Sequence, residues 1–177
     1  MKEVPAQQSR YIGIDVSKDT LDVSCLTPTG YHDYRKFENT KAGLQKLDRW
    51  LVQQDGFAYS HALFCMEHTG IYTRCLVEFL LFQHALVWME SALHLKRSIG
   101  MTRGKNDKVD SYRIARYAMV NADQAKLISP SNQTLQLLKD LLACRTRISK
   151  SIQSLKVSVQ ELQRVDKASG KELAKLR

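Results

Sequence analysis

At 177 residues, 44% of them hydrophobic, the chain can bury one domain-sized core with an appendage and is too short for two full domains. Its formal net charge of +9 is unevenly spread: residues 1–95 hold 9 Lys and Arg against 11 Asp and Glu, whereas residues 96–177 hold 18 against 7. That split makes nucleic acid the natural partner of the downstream half, and the lack of any long uninterrupted apolar run argues against a membrane span.

After a polar tail over residues 1–10, residues 11–16 read as a buried strand. Thr20–Leu26 alternates as a second strand, with the polar turn SKD between the two forming a hairpin. The Pro28 to Gly30 turn leads to a third strand over 32–37, so three antiparallel strands open the fold. The period then changes: Asn39 or Thr40 can cap a helix whose Leu44, Leu47, Trp50 and Leu51 fall at 3 and 4 spacing, ending near Gly56. Next come a short apolar strand over 62–66, a helix from Thr69 and Gly70 through Phe82, and a strand over 85–89. A short helix is expected over 92–98, a basic glycine-bracketed loop MTRGKN after it, and a helix over 107–119.

From Ser131 onward the pattern is helical, with Leu135, Leu138, Leu142, Ile148, Ile152, Leu155, Val159 and Leu162 spaced mostly 4 and 3 and a slip near Arg145. This predicts either a helical pair folding back on the sheet or a coiled coil joining subunits. Beyond Val165 the segment KASGKELAKLR reads equally as a turn with a new helix starting. Three antiparallel strands followed by helix-separated parallel ones define an α/β fold: a ribonuclease H-like mixed sheet with flanking helices over 11–128, then a long helical or coiled-coil segment over 129–177. Cys25, Cys65, Cys75 and Cys144 lack C-x-x-C spacing, which predicts a reduced cytoplasmic protein and no zinc site.

Four carboxylates stand out. Asp15 lies inside the apolar run YIGIDVS, Glu67 ends the apolar run HALFCME, and Asp107 and Asp110 sit three apart in KNDKVDSYRIA. A carboxylate at a strand end is costly to hold in a core unless something positive sits beside it. Two such strands and an i, i+3 pair on one helix face can converge on one spot, and all-oxygen ligands suit hard divalent cations and phosphate chemistry. Each residue also has a structural reading: Asp15 as a turn former before Ser17, Asp107 as a helix N-cap, Asp110 as a first-turn acid favourable to the helix dipole.

The order of these elements is that of RuvC-like nucleases, and GIDVSKDTLDV, MEHTGIY and RGKNDKVDSYRIA together resemble the DEDD transposases of bacterial insertion sequences, which include the Piv-type DNA invertases. The third motif is the most specific. The resemblance implies a RuvC-like catalytic domain in which Asp15, Glu67, Asp107 and Asp110 are the catalytic and metal-binding residues. It further implies Mg²⁺, with Mn²⁺ as an alternative, divalent-metal-dependent phosphodiester cleavage and strand transfer, DNA as substrate, and assembly as a homodimer or higher oligomer through the long helix. Some members are directed by a structured RNA, so a guide RNA is a second expected partner. Family members continue into a C-terminal domain bearing a serine proposed as nucleophile, and the chain is expected to be the N-terminal portion of such a transposase, incomplete without it.

Lys96, Arg97, Arg103, Lys105, Lys108, Arg113 and Arg116 flank the Asp pair and are the candidate phosphate contacts. Lys18 reads equally as a phosphate contact or a solvated turn lysine, His68 as a general base or a helix-entry histidine, and Tyr72 and Tyr112 as base-stacking platforms or, more commonly at helical spacing, half-buried aromatics. Two other functions fit less of the chain. One is a non-catalytic nucleic-acid-binding and dimerising module. The other is an ATP-binding domain of the actin and sugar kinase type, against which the glycine-free turn VSKDT argues.

Overall fold

The computed structural model describes residues 8–68, 70–99, 107–129 and 133–175, with side chains throughout these except at 96–99, 107, 133–136 and 168–175. It divides into two units, 1–130 and 131–177, each considered by itself.

In the first unit five strands form one sheet: β1 (Arg10–Val16), β2 (Thr20–Leu26), β3 (His32–Glu38), β4 (Ala62–Glu67) and β5 (Leu86–Glu90). Their order is β3-β2-β1-β4-β5, with β2 antiparallel to both neighbours and β1, β4 and β5 mutually parallel. This is the ribonuclease H-like arrangement. Pairing starts slightly earlier than the sequence pattern implies. Ser9 N–H donates to His61 O at 2.9 Å and Gln8 is 2% exposed, because polar residues here pack at the sheet margin rather than trailing in solvent.

Strand alternation sends Ile12, Ile14, Val16, Val23, Phe64 and Met66 to one face, where they meet Leu44, Leu47 and Trp50 of α1 (Lys41–Val52) and Leu76 and Leu80 of α2 (Arg74–Phe82). The Thr40 hydroxyl caps α1 by accepting Gly43 N–H at 3.1 Å. That helix stops at Val52, short of Gly56. A turn of 3₁₀ helix over Gly70–Thr73 precedes α2, so the first turn expected as α-helix is wound tighter.

The opposite face carries α3 (Ala92–Ile99) and α4 (Asp107–Val120). Here Leu63, Cys65 and Trp88 pack with Leu95, Ile114 and Ala118. At Gly13 the approach is backbone to backbone, since a Cβ there would lie 2.2 Å from Ala115 N and from Ser111 O. Only glycine permits this contact. After α4 the chain returns to β5, where Ile128 N–H donates to Val87 O at 2.9 Å.

The second unit contains a single continuous helix, α5 (Gln133–Lys175), of 43 residues and about 65 Å. It is neither a helical pair nor broken within KASGKELAK: that stretch has no proline, and its lone glycine is tolerated within the helix. Leu138, Leu141, Ile148, Ile152, Leu155, Val159 and Leu162 are all exposed along it. Among the described residues no helix is long and apolar enough to cross a membrane.

Candidate active site

Sheet register builds the site. Asp15, the sixth of seven residues of β1 rather than its midpoint, pairs with Asp22 of β2. On its other side the parallel register runs Gly13 to Cys65 and Ile14 to Met66, so one step further brings Asp15 beside Glu67, the last residue of β4. Glu67 in turn pairs with Glu90, the last residue of β5, and Asp22 pairs with Lys36 of β3. Five adjacent strands thus carry Lys36, Asp22, Asp15, Glu67 and Glu90 in one row across the sheet.

Alternation puts this row on the α4 face. Asp15 is two residues from Gly13, which abuts Ser111 and Ala115. Glu67 is two from Cys65, which packs with Ile114 and Ala118. Asp22 is two from Ser24, whose hydroxyl lies 2.9 Å from that of Ser111 in a buried pair. Glu90 is two from Trp88, whose ring packs on Tyr117 at 5.1 Å.

α4 presents one edge to this row. Asp110 and Tyr117 are seven residues apart and therefore share a side of the helix. The Tyr117 hydroxyl donates to Glu90 Oε2 at 3.3 Å, which marks that side as the one facing the strand ends. Between them Arg113 extends its guanidinium to Asp110 Oδ1 at 3.1 Å. Asp107 is the first residue of α4, and its side chain lies outside the described residues.

The loops around the row are pinned together. Asn39 Nδ2 donates to Ser17 O at 2.9 Å and to Tyr72 O at 3.0 Å, joining the hairpin turn after Asp15 to the 3₁₀ turn after Glu67. His68 contributes backbone, its N–H donating to Glu90 O at 3.1 Å, while its side chain is exposed. Lys18 is exposed, and Tyr112 stacks edge-on against His32 at 4.8 Å, a packing role.

The three extra members of the row are Lys36, Asp22 and Glu90. Glu90 Oε1 accepts Ser91 N–H at 2.7 Å and sits 3.1 Å from His94 Nδ1, so this carboxylate anchors α3 and α4. Asp22, 3% exposed, accepts the Tyr34 hydroxyl on Oδ1 and the Lys36 ammonium on Oδ2 at 3.2 Å. Glu67 is only half-buried. Sequence reading passed over Asp22 and Glu90, although both were signalled: Asp22 is a charge inside the apolar strand TLDVSCL, and WME ends β5 as CME ends β4.

Of the expected phosphate contacts, Arg116 is exposed, Arg113 is engaged with Asp110, and Lys108 is exposed with its ammonium 5.3 Å above the Tyr34 ring centroid. The side chains of Lys96 and Arg97, and Arg103 and Lys105 altogether, lie outside the described residues. The donor chemistry of Asp15, Glu67 and Asp110 is oxygen throughout, which fits a hard divalent ion. Among the described residues alone, no three acidic, histidine or cysteine side chains gather closely enough to hold one.

The model of the IS110-type DEDD family, described as a transposase, matches residues 12–164. Pilin gene-inverting proteins of Moraxella lacunata and Moraxella bovis are each 31% identical over 110 residues, 60% of this chain and 33% of theirs. The chain therefore spans about one third of the length of these curated relatives. Among solved structures, T. thermophilus RuvC in complex with a Holliday junction substrate is similar over 66% of this chain and 98% of that one, with a TM-score of 0.45 at 10% identity.

Proposed function

Because the chain belongs to the IS110-type DEDD transposase family, we propose that its sheet domain is the catalytic domain of a DNA transposase or site-specific recombinase that cleaves and joins phosphodiesters with divalent metal ions. The observation that carries this reading is the adjacency of Asp15 and Glu67 in register on the face that α4 covers. In this reading Asp15, Glu67, Asp107 and Asp110 would hold Mg²⁺ or Mn²⁺. The chemistry such ions supply is activation of the attacking oxygen and stabilisation of the leaving one.

The protein's own groups do the rest. Asn39 holds the two loops that shape the entrance, Tyr117 and Glu90 keep the Asp110 edge of α4 above the strand ends, and Arg113 holds Asp110 until it is needed. Arg113, paired with Asp110 here, would also offer its guanidinium to a phosphate oxygen beside that carboxylate. Lys96, Arg97, Arg103, Lys105, Lys108 and Arg116 neutralise the DNA backbone without reading sequence. A structured RNA is a second partner for the same positive charge, and the exposed apolar stripe of α5 is the contact for a second copy of the chain.

A second reading is favoured by one observation, that the described side chains do not by themselves gather three ligands. In it the domain binds nucleic acid and dimerises without catalysis. Thermal unfolding with added Mg²⁺ separates the two. The catalytic reading expects stabilisation of the parent that is lost in Asp15→Asn and Glu67→Gln. Equal shifts in parent and variants, or none, would support the non-catalytic one.

A further inference from the structure

Asp22 is an expensive residue to place where it is. A carboxylate 3% exposed survives as an ion only with compensation. It receives two donors, the Tyr34 hydroxyl and the Lys36 ammonium at 3.2 Å. Lys36 is different: its side chain is 46% exposed, so one end of this ion pair is buried and the other opens to solvent. A lysine on an edge strand ordinarily sweeps through many rotamers, and tethering it to a fixed carboxylate orders it in one place. Asp22 is the register partner of Asp15, so the ammonium is held against the strand next to the one carrying Asp15, while Lys36 itself lies two strand spacings, about 10 Å, from that strand. The ammonium stands on the same face of the sheet as the acidic row, at its open end.

We propose that Lys36, oriented by buried Asp22, binds a phosphate oxygen of the DNA strand entering the candidate site. This rests on the reading that the acidic row handles DNA, and it adds a residue and a role: a positioning cation that offsets the repulsion between four carboxylates and a polyanion. The Tyr34 hydroxyl serves the same end at one remove, since a second donor to Asp22 fixes the carboxylate that fixes the lysine. Lys36 reaches DNA directly, whereas Asp22 and Tyr34 act only through it.

The test is binding of a labelled linear DNA duplex by the 177-residue chain, followed by fluorescence anisotropy across a salt series with chelator present, so that no metal enters the result. Loss of one phosphate contact lowers the slope of log K against log salt by about 0.9. We expect that drop in Lys36→Gln, recovery in Lys36→Arg, and in Tyr34→Phe an unchanged slope with weaker binding at every salt concentration, because the cation remains but is less firmly held. Should Lys36→Gln unfold by leaving Asp22 uncompensated, the double variant Asp22→Asn with Lys36→Gln removes both charges and must show the same drop. An unchanged slope in a folded variant overturns this inference and leaves the reading of the acidic row standing. A parent chain that binds no duplex overturns both.

Discussion

Tyr117 and Glu90 are joined by a hydrogen bond from the phenol to Oε2 at 3.3 Å, and this contact ties the middle of α4 to the carboxyl end of β5. Burial, and then the charge and hydrogen bonding of Glu90, push the Tyr117 hydroxyl up to about 12, so it remains a donor throughout the neutral range. Tyr117→Phe is expected to lower stability by about 1 kcal/mol in urea denaturation, the ordinary net value of one hydrogen bond. Its second consequence is looser control of the Asp110 edge, visible as faster amide exchange along α4. Identical stability in the variant would mean that packing on Trp88 alone holds this edge.

Gly13 is a sharper constraint. A methyl group at this position would fall 2.2 Å from backbone atoms of Ser111 and Ala115, neither of which can yield as a flexible side chain would. Gly13→Ala should therefore cost about 3 kcal/mol or more and displace α4 from the sheet. Denaturant melts measure the first, and loss of Mg²⁺ stabilisation the second. A stable variant with α4 still docked would show that the two backbones do not approach this closely.

His32 gives the domain a pH dependence of known sign. Burial, and then the Lys108 ammonium, hold its pKa below the ordinary histidine value, with Asp33 opposing. The folded state therefore prefers the neutral ring, and the unfolded chain takes up the proton first. The stability this group contributes is present above the ordinary histidine pKa and is lost as pH falls through the lowered folded value. Melting temperatures measured on acidification should fall less steeply in His32→Gln than in the parent. A steeper fall in the variant would reverse the assigned sign.

The α5 stripe makes a solution prediction. Leu155 and Leu162 are 67% and 66% exposed on a helix that presents apolar side chains every third or fourth residue. A charge at Leu155, as in Leu155→Glu, should shift the chain from dimer or higher oligomer to monomer in light scattering. A parent that is already monomeric at all concentrations would remove α5 as a self-association contact.

Much of this was legible before any coordinates. Period-two runs set β1 and β2, the 3 and 4 spacing of Leu44, Leu47, Trp50 and Leu51 set α1, and the charges ending apolar runs flagged Asp15 and Glu67. What a single sequence cannot supply is which strand lies beside which. The row of Lys36, Asp22, Asp15, Glu67 and Glu90 exists only through the pairing of five strands, and two of the four pairings, β1 with β4 and β4 with β5, join segments far apart in sequence. Asp22 stands out in TLDVSCL as a charge within an apolar strand, but its burial follows only from α4 covering the second face of β2, which nothing local shows. The pairing of Arg113 with Asp110 was likewise not legible, since it depends on rotamers rather than on spacing alone. The continuity of α5 through KASGKELAK stays open in the sequence, because glycine lowers helix propensity by about 1 kcal/mol, too little to stop a helix of this length.

The measurement that bears most directly on the account is anomalous diffraction from crystals of the chain equilibrated with Mn²⁺. The account predicts a manganese peak in direct contact with carboxylate oxygens of both Asp15 and Glu67, with Asp110 turned away from Arg113 to join them. Manganese bound only elsewhere, or Asp15 and Glu67 without metal at saturating Mn²⁺, would contradict it.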